Sequence, residues 1–162
     1  MEFKDGVQLK KVWNELSENN KLDITNQLRD IFTQVRKIPS PGRFSNVTGG
    51  PLRHSYFWSL TPNPEINGPS TKEEDLSMAV AKRSQGIWDG HGQRSWISEF
   101  FARNLPSDLS GHASVFTHAN VQRKNILVEK ISPQETEGDE ERSQWRVSAV
   151  VDWEDSGWYP SY

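Results

Sequence analysis

An apolar strand, Val115-Phe116-Thr117, runs into the polar stretch His118-Ala119-Asn120-Val121-Gln122-Arg123-Lys124-Asn125, and a second apolar strand, Ile126-Leu127-Val128, leaves it. Further along, Val147-Ser148-Ala149-Val150-Val151 carries Asp152-Trp153-Glu154 at its end. Two strand ends side by side, each offering an oxygen-bearing residue, make a pocket that can hold a divalent cation and phosphate. Phosphoryl transfer asks a protein mainly for positioning and charge neutralisation, which such strand ends can supply.

The elements that must position these residues are readable from periodicity. Ile24, Leu28, Ile31, Phe32 and Val35 recur at helical spacing, so a helix is expected from Asp23 to Ile38, capped by Asp23 or Thr25 and stopped by Pro39. A shorter helix is expected over Gln8 to Leu16, with Leu9, Val12, Trp13 and Leu16 on one face. From Pro39 to Ser70 the composition turns to Pro, Gly, Ser and Asn, which reads as a long loop pinned by Tyr56-Phe57-Trp58. Lys72 to Lys82 and Arg94 to Asn104 look helical, the second with Trp96, Ile97, Phe100 and Phe101 inward, and Gly86 to Gly92 reads as a tight turn around Trp88. The last two apolar strands, Ile126–Val128 and Val147–Val151, should form an antiparallel pair, with the acidic stretch Gln134 to Arg142 as the solvated loop between them. The class this order gives is α+β, dominated by helices.

The segment from His118 to Val128 resembles the pattern H-G-D-x-x-x-x-N-I-L-V, and Val151-Asp152-Trp153-Glu154 the motif I-D-W-E, of the aminoglycoside phosphotransferase and choline kinase group, especially its fungal branch. Met1-Glu2-Phe3 with Gly6, Leu9 and Val12-Trp13 is similar to that group's hinge segment, M-E-[YF]-x-x-G-x-x-L-x-x-V-W. Three motifs in the right order make the resemblance specific. It covers nearly the whole chain, more loosely over residues 43–110. What it implies is one domain over residues 1–162 built as a protein-kinase-like C-terminal lobe, truncated at both ends and lacking the N-terminal lobe. G-x-G-x-x-G and G-x-x-x-x-G-K-[ST] do not occur in the chain.

The resemblance also assigns roles. Asn125 takes the place of a metal-binding asparagine and Asp152 that of a metal-binding aspartate, a pair suited to Mg²⁺. Asn120 stands where the group has its catalytic aspartate. It keeps the shape and one acceptor oxygen but carries no charge and takes no proton. His118 is either catalytic or a ring that fixes the loop backbone. The hinge residues Met1 and Phe3 would meet the adenine of ATP. Arg123 and Lys124 would steer phosphate or simply be solvated; Glu154 and Asp155 would line a site for a cationic substrate or be surface acids. Trp88 and His91 would border the substrate pocket.

Composition narrows the field. The 162 residues suffice for a domain with a proper core, and seven Trp and seven Phe supply large buried surfaces although apolar residues are only 33 %. A net charge of −3 with interspersed signs gives no nucleic-acid footprint. The absence of cysteine removes disulfides, thiolate zinc sites and cysteine nucleophiles. Met1 to Asp5 has no apolar run to serve as a signal peptide, and no segment approaches the roughly 20 apolar residues of a membrane helix, which makes the cytoplasm the default compartment. The sequon Asn46-Val47-Thr48 is then a chance match.

The expected function is a degenerate, pseudokinase-like small-molecule phosphotransferase with little or no phosphoryl transfer, for which Mg²⁺ and ATP are the implied cofactors. The alternatives are a recruited enzyme that isomerises or cyclises a small metabolite, and a binding or scaffold protein using the exposed cleft face. The expected partners are a small-molecule ligand and a second copy or another chain over the hinge-side face, where Met1, Phe3, Val12 and Trp13 would otherwise be exposed; nucleic acid and membrane are not expected.

Overall fold

A computed structural model describes residues 5–61, 63–89, 92, 95–131 and 145–162. In chain order the elements are β1 (Val7–Gln8), α1 (Leu9–Val12), α2 (Glu18–Val35), β2 (Ser45–Asn46), α3 (Pro64–Asn67), α4 (Glu73–Asp89), α5 (Trp96–Asp108), β3 (Ser114–Thr117), β4 (Ile126–Lys130), β5 (Trp145–Val150) and β6 (Gly157–Pro160). The architecture is α+β, with two small antiparallel sheets ordered β1-β4-β5 and β2-β6-β3. It divides into two compact units, each assembled from two chain segments: Met1–Val35 with Asn120–Trp153, and Arg36–Ala119 with Glu154–Tyr162.

The first unit is a three-stranded sheet with α2 against β5. Its core is Leu9, Leu16, Ile24, Ile126 and Val128, with Ile24 and Val128 wholly buried. The two apolar strands pair antiparallel, Ile126 opposite Val150 and Leu127 opposite Ala149, with a bulge before Val128 pairs with Val147. Gln27 of α2 clamps the edge of β5, donating to the Trp145 carbonyl at 3.1 Å and accepting from the Val147 amide at 2.8 Å. Helix α2 begins at Glu18 rather than Asp23, because the Ser17 hydroxyl caps it by accepting from the Asn20 amide at 3.2 Å. Asp23 and Thr25 therefore lie inside the helix, and it ends at Val35. The expected helix over Gln8 to Leu16 is broken: Val7–Gln8 pairs with β4 as an edge strand, and Trp13–Glu15 tightens into a 3₁₀ turn. Val12 and Trp13 are half-buried against the core, and Lys21 and Arg123 lie over the Trp13 ring at 5.7 and 5.4 Å. Gln134 to Arg142, the expected acidic loop, falls outside the described residues.

The second unit joins the sheet β2-β6-β3 to the helical hairpin of α4 and α5. Its core is Phe44, Leu52, Phe57, Leu76, Ala79 and Tyr159. The stretch expected to be a loop, Pro39 to Ser70, contains β2 and the short helix α3, and Phe44 and Ser70 form a bridge across it. Of its three aromatics only Phe57 is an anchor; Tyr56 and Trp58 are exposed. Gly86 and Trp88 belong to α4, which runs on to Asp89; the chain turns only after it, where the Gly92 amide donates to the Asp89 carbonyl at 3.0 Å. On α5 the packed stripe is Ile97, Ser98, Phe101 and Leu105, at i, i+1, i+4 and i+8. The helix is rotated from the expected face, which leaves Trp96 75 % and Phe100 53 % exposed.

Strand β6 is the element sequence reading missed. It pairs with both β2 and β3, Trp158 lying opposite Ser45 and Phe116. A Cβ at Gly157 would land on the Ser45 carbonyl oxygen, which is why this strand opens with glycine. Burial pushes the Tyr159 hydroxyl up to about 12, and that hydroxyl donates to the Asp155 carbonyl at 2.8 Å. Burial also holds His54 below its ordinary value, with the nearby Asp155 carboxylate pulling the other way. The folded state then takes up a proton at His54 less readily than the unfolded chain. Its stability is full above the unfolded pKa of about 6.5 and declines as pH falls below it. Thermal melts at pH 7.5 and 5.5 should show a lower midpoint at pH 5.5, and His54→Gln should flatten that difference; an unchanged slope would contradict the assignment.

Candidate functional site

The sequence candidates gather at the β4–β5 end of the first unit. Residues Arg123–Asn125 form a 3₁₀ turn leading directly into β4, and Asp152 lies two residues beyond β5. Because Ile126 pairs with Val150, and the Val151 amide donates to the Asn125 carbonyl at 2.9 Å, the turn and the strand exit are fixed side by side. Asn125 is 5 % exposed. Its Nδ2 donates twice, to the Asn120 carbonyl at 3.0 Å and to Asp152 Oδ2 at 2.9 Å. One buried amide thus ties the loop that carries Asn120 to the carboxylate at the strand exit. The Asn120 side chain is engaged as well: its Oδ1 accepts from Gln122 Nε2 at 2.8 Å. The Trp153 indole donates to the Val150 carbonyl at 2.7 Å, fixing the chain just after the carboxylate.

Two residues here hold a left-handed backbone, Ala119 at φ 64° and Asp152 at φ 69°. Aspartate tolerates this conformation through its short polar side chain; alanine does so at a cost of roughly 1–2 kcal/mol. The strain falls on the residues flanking the site and turns Asp152 out of the strand direction. Nothing in the residue types signalled it except the positions themselves.

The donor set decides what the site could hold. With both amide hydrogens of Asn125 used, its Oδ1 accepts no hydrogen bond among the described residues, and neither does Asp152 Oδ1. Two hard oxygens suit Mg²⁺, which takes one or two protein ligands, keeps several waters and binds phosphate oxygens; Zn²⁺ prefers nitrogen and sulfur ligands. Among the described residues no three His, Asp or Glu side chains group around a common point.

His118, 1 % exposed, follows β3 and belongs to the second unit, as do the exposed Glu154 and the half-buried Asp155. Strands β3 and β4, which flank the loop in sequence, are in different sheets. Arg123 and Lys124 are exposed, and Arg123 lies over the Trp13 ring. Trp88 is exposed on α4. Met1, Phe3 and His91 fall outside the described residues. No described helix is long and apolar enough to cross a membrane. Comparison with protein-family models, curated proteins and solved structures gives no match for this chain.

Proposed function

We propose that the chain is a degenerate small-molecule phosphotransferase of the aminoglycoside phosphotransferase and choline kinase type, a pseudokinase-like domain that binds Mg²⁺ and nucleotide and transfers phosphate slowly or not at all. The observation that carries this reading is the hydrogen-bonded set Asn120–Asn125–Asp152 at the β4–β5 end, built from residues that the motif resemblance picks out. Asn125 Oδ1 and Asp152 Oδ1 would hold the cation. Mg²⁺ there supplies neutralisation of phosphate charge. The residues themselves do the positioning: the Asn125 amide fixes the carboxylate, and its bond to the Asn120 carbonyl fixes the loop. Asn120, where a base is needed, offers only an amide already bonded to Gln122.

Calorimetric titration of ATP with and without Mg²⁺ tests the reading. The cation is expected to strengthen ATP binding at least about tenfold in the native chain, and Asp152→Ala to abolish that gain while leaving the fold intact by circular dichroism. ATP binding that is absent, or indifferent to both Mg²⁺ and Asp152, would sink it.

A further inference from the structure

The second unit contains an open cavity of about 630 Å³, and the site described above uses none of its residues. Its walls are mostly apolar: Phe57, Val80 and Ile87 from one side, Phe101, Leu105 and Leu109 from α5 and its end. A volume of this size suits a ligand of ordinary metabolite dimensions. Polar groups on the lining are largely committed to the protein. The Ser84 hydroxyl accepts from Ser98 at 3.0 Å, Thr117 donates to the Val115 carbonyl at 3.2 Å, Tyr159 to the Asp155 carbonyl at 2.8 Å, and His54 Nδ1 accepts from the Tyr56 amide at 3.3 Å.

Arg83 is the exception. It is the single Lys, Arg, Asp or Glu among the lining residues, and no carboxylate pairs with it among the described residues. Its guanidinium lies 5.5 Å from the centre of the Trp58 ring, and its terminal nitrogens make no hydrogen bond among the described residues. Its Nε is buried and has no hydrogen-bond partner. A guanidinium left with an unsatisfied donor and no counter-charge is costly to hold in the fold, and a ligand carboxylate on its terminal nitrogens would supply the counter-charge that the protein does not. Planar guanidinium matches planar carboxylate.

We propose that this cavity binds a small amphiphilic anion, with its apolar body between Phe57 and the α5 side chains and its carboxylate on Arg83. The charge on Arg83 selects against cationic amphiphiles, and the apolar walls against small hydrophilic anions. The occupant is a dissolved small molecule, since the volume is of metabolite size and its lining belongs to one unit of the chain. This inference stands independently of the Asn125–Asp152 site.

The test uses three probes of equal chain length at pH 7.5, dodecanoate and dodecyltrimethylammonium below their micelle concentrations and dodecanol below its solubility limit. Dodecanoate is expected to bind saturably, and dodecanol about 10- to 100-fold more weakly, the usual worth of hydrogen bonds to a charged group. The ammonium probe should bind more weakly still. Arg83→Gln should bring dodecanoate down to the affinity of dodecanol while leaving dodecanol unchanged, which a merely structural loss would not do. Leu105→Trp should fill the cavity and remove binding of all three at unchanged helix content. Equal affinities for the three probes, no binding of dodecanoate, or an Arg83→Gln variant that keeps the carboxylate preference would each overturn the proposal.

Discussion

Supplied with ATP, Mg²⁺ and a hydroxyl or amine acceptor such as an aminoglycoside, the chain is expected to turn over at least about 100-fold more slowly than the roughly 1–100 per second of kinases. On the proposed reading the loss has two sources, the first of them at Asn120. A general base at the transferring hydroxyl contributes about 10²–10⁴ in rate, and Asn120 cannot supply it: an amide takes no proton, and its Oδ1 is already bonded to Gln122. Transfer of radiolabelled phosphate, measured at saturating nucleotide, checks the expectation, and turnover at ordinary kinase rates would refute it. Asn120→Asp alone is expected to leave the rate low. It restores a proton acceptor but adds no donors for the nucleotide phosphates, and neither glycine-rich phosphate-binding motif occurs in the chain. A large recovery in that variant would show that the phosphates are held by other means.

The largest stability effect is expected at Ile24. Its side chain is wholly buried and joins Leu9, Leu16, Ile126 and Val128 into one cluster. Truncation to alanine removes buried methylenes and leaves a cavity between elements that cannot all close on it, a loss of about 2–5 kcal/mol. For a chain of this size that lowers the melting midpoint by roughly 5–15 °C. Leu22, two residues away on the same helix and 59 % exposed, is the control: Leu22→Ala should stay within about 0.5 kcal/mol of the native chain. Similar losses at both positions would mean that α2 does not present the face described. Because Ile126 belongs to the same cluster and follows Asn125 directly, Ile24→Ala should also loosen the loop that holds Asn125, visible as faster exchange of the Asn125 and Val151 amides.

Local chemistry was written in the residues. The periodicity of Ile24, Leu28, Ile31, Phe32 and Val35 points to a helix, and the short apolar, β-branched runs Ile126–Val128 and Val147–Val150 point to buried strands. The oxygen-bearing residues at those strand ends were legible for the same reason: strands that pair antiparallel bring the start of one beside the end of the other. Ends of elements were less legible, since a cap is a hydrogen bond and Ser17, Asp23 and Thr25 are equally capable of making one.

Tertiary structure decided what depends on partners distant in sequence. Gly157-Trp158-Tyr159-Pro160 carries glycine and proline and gives no strand signal of its own; it becomes a strand because β2 and β3 supply its hydrogen bonds and Ser45 leaves no room for a Cβ. The face of α5 was set by α4, not by the count of its aromatics, so Trp96 and Phe100 face solvent. Strands β3 and β4, neighbours in the chain, went to separate sheets. Arg83 was one basic residue among nineteen in the sequence; only the fold brought it to the cavity wall with a buried Nε that has no acceptor. Residue type determines which bonds a side chain can make, and the fold determines which of them are left unmade.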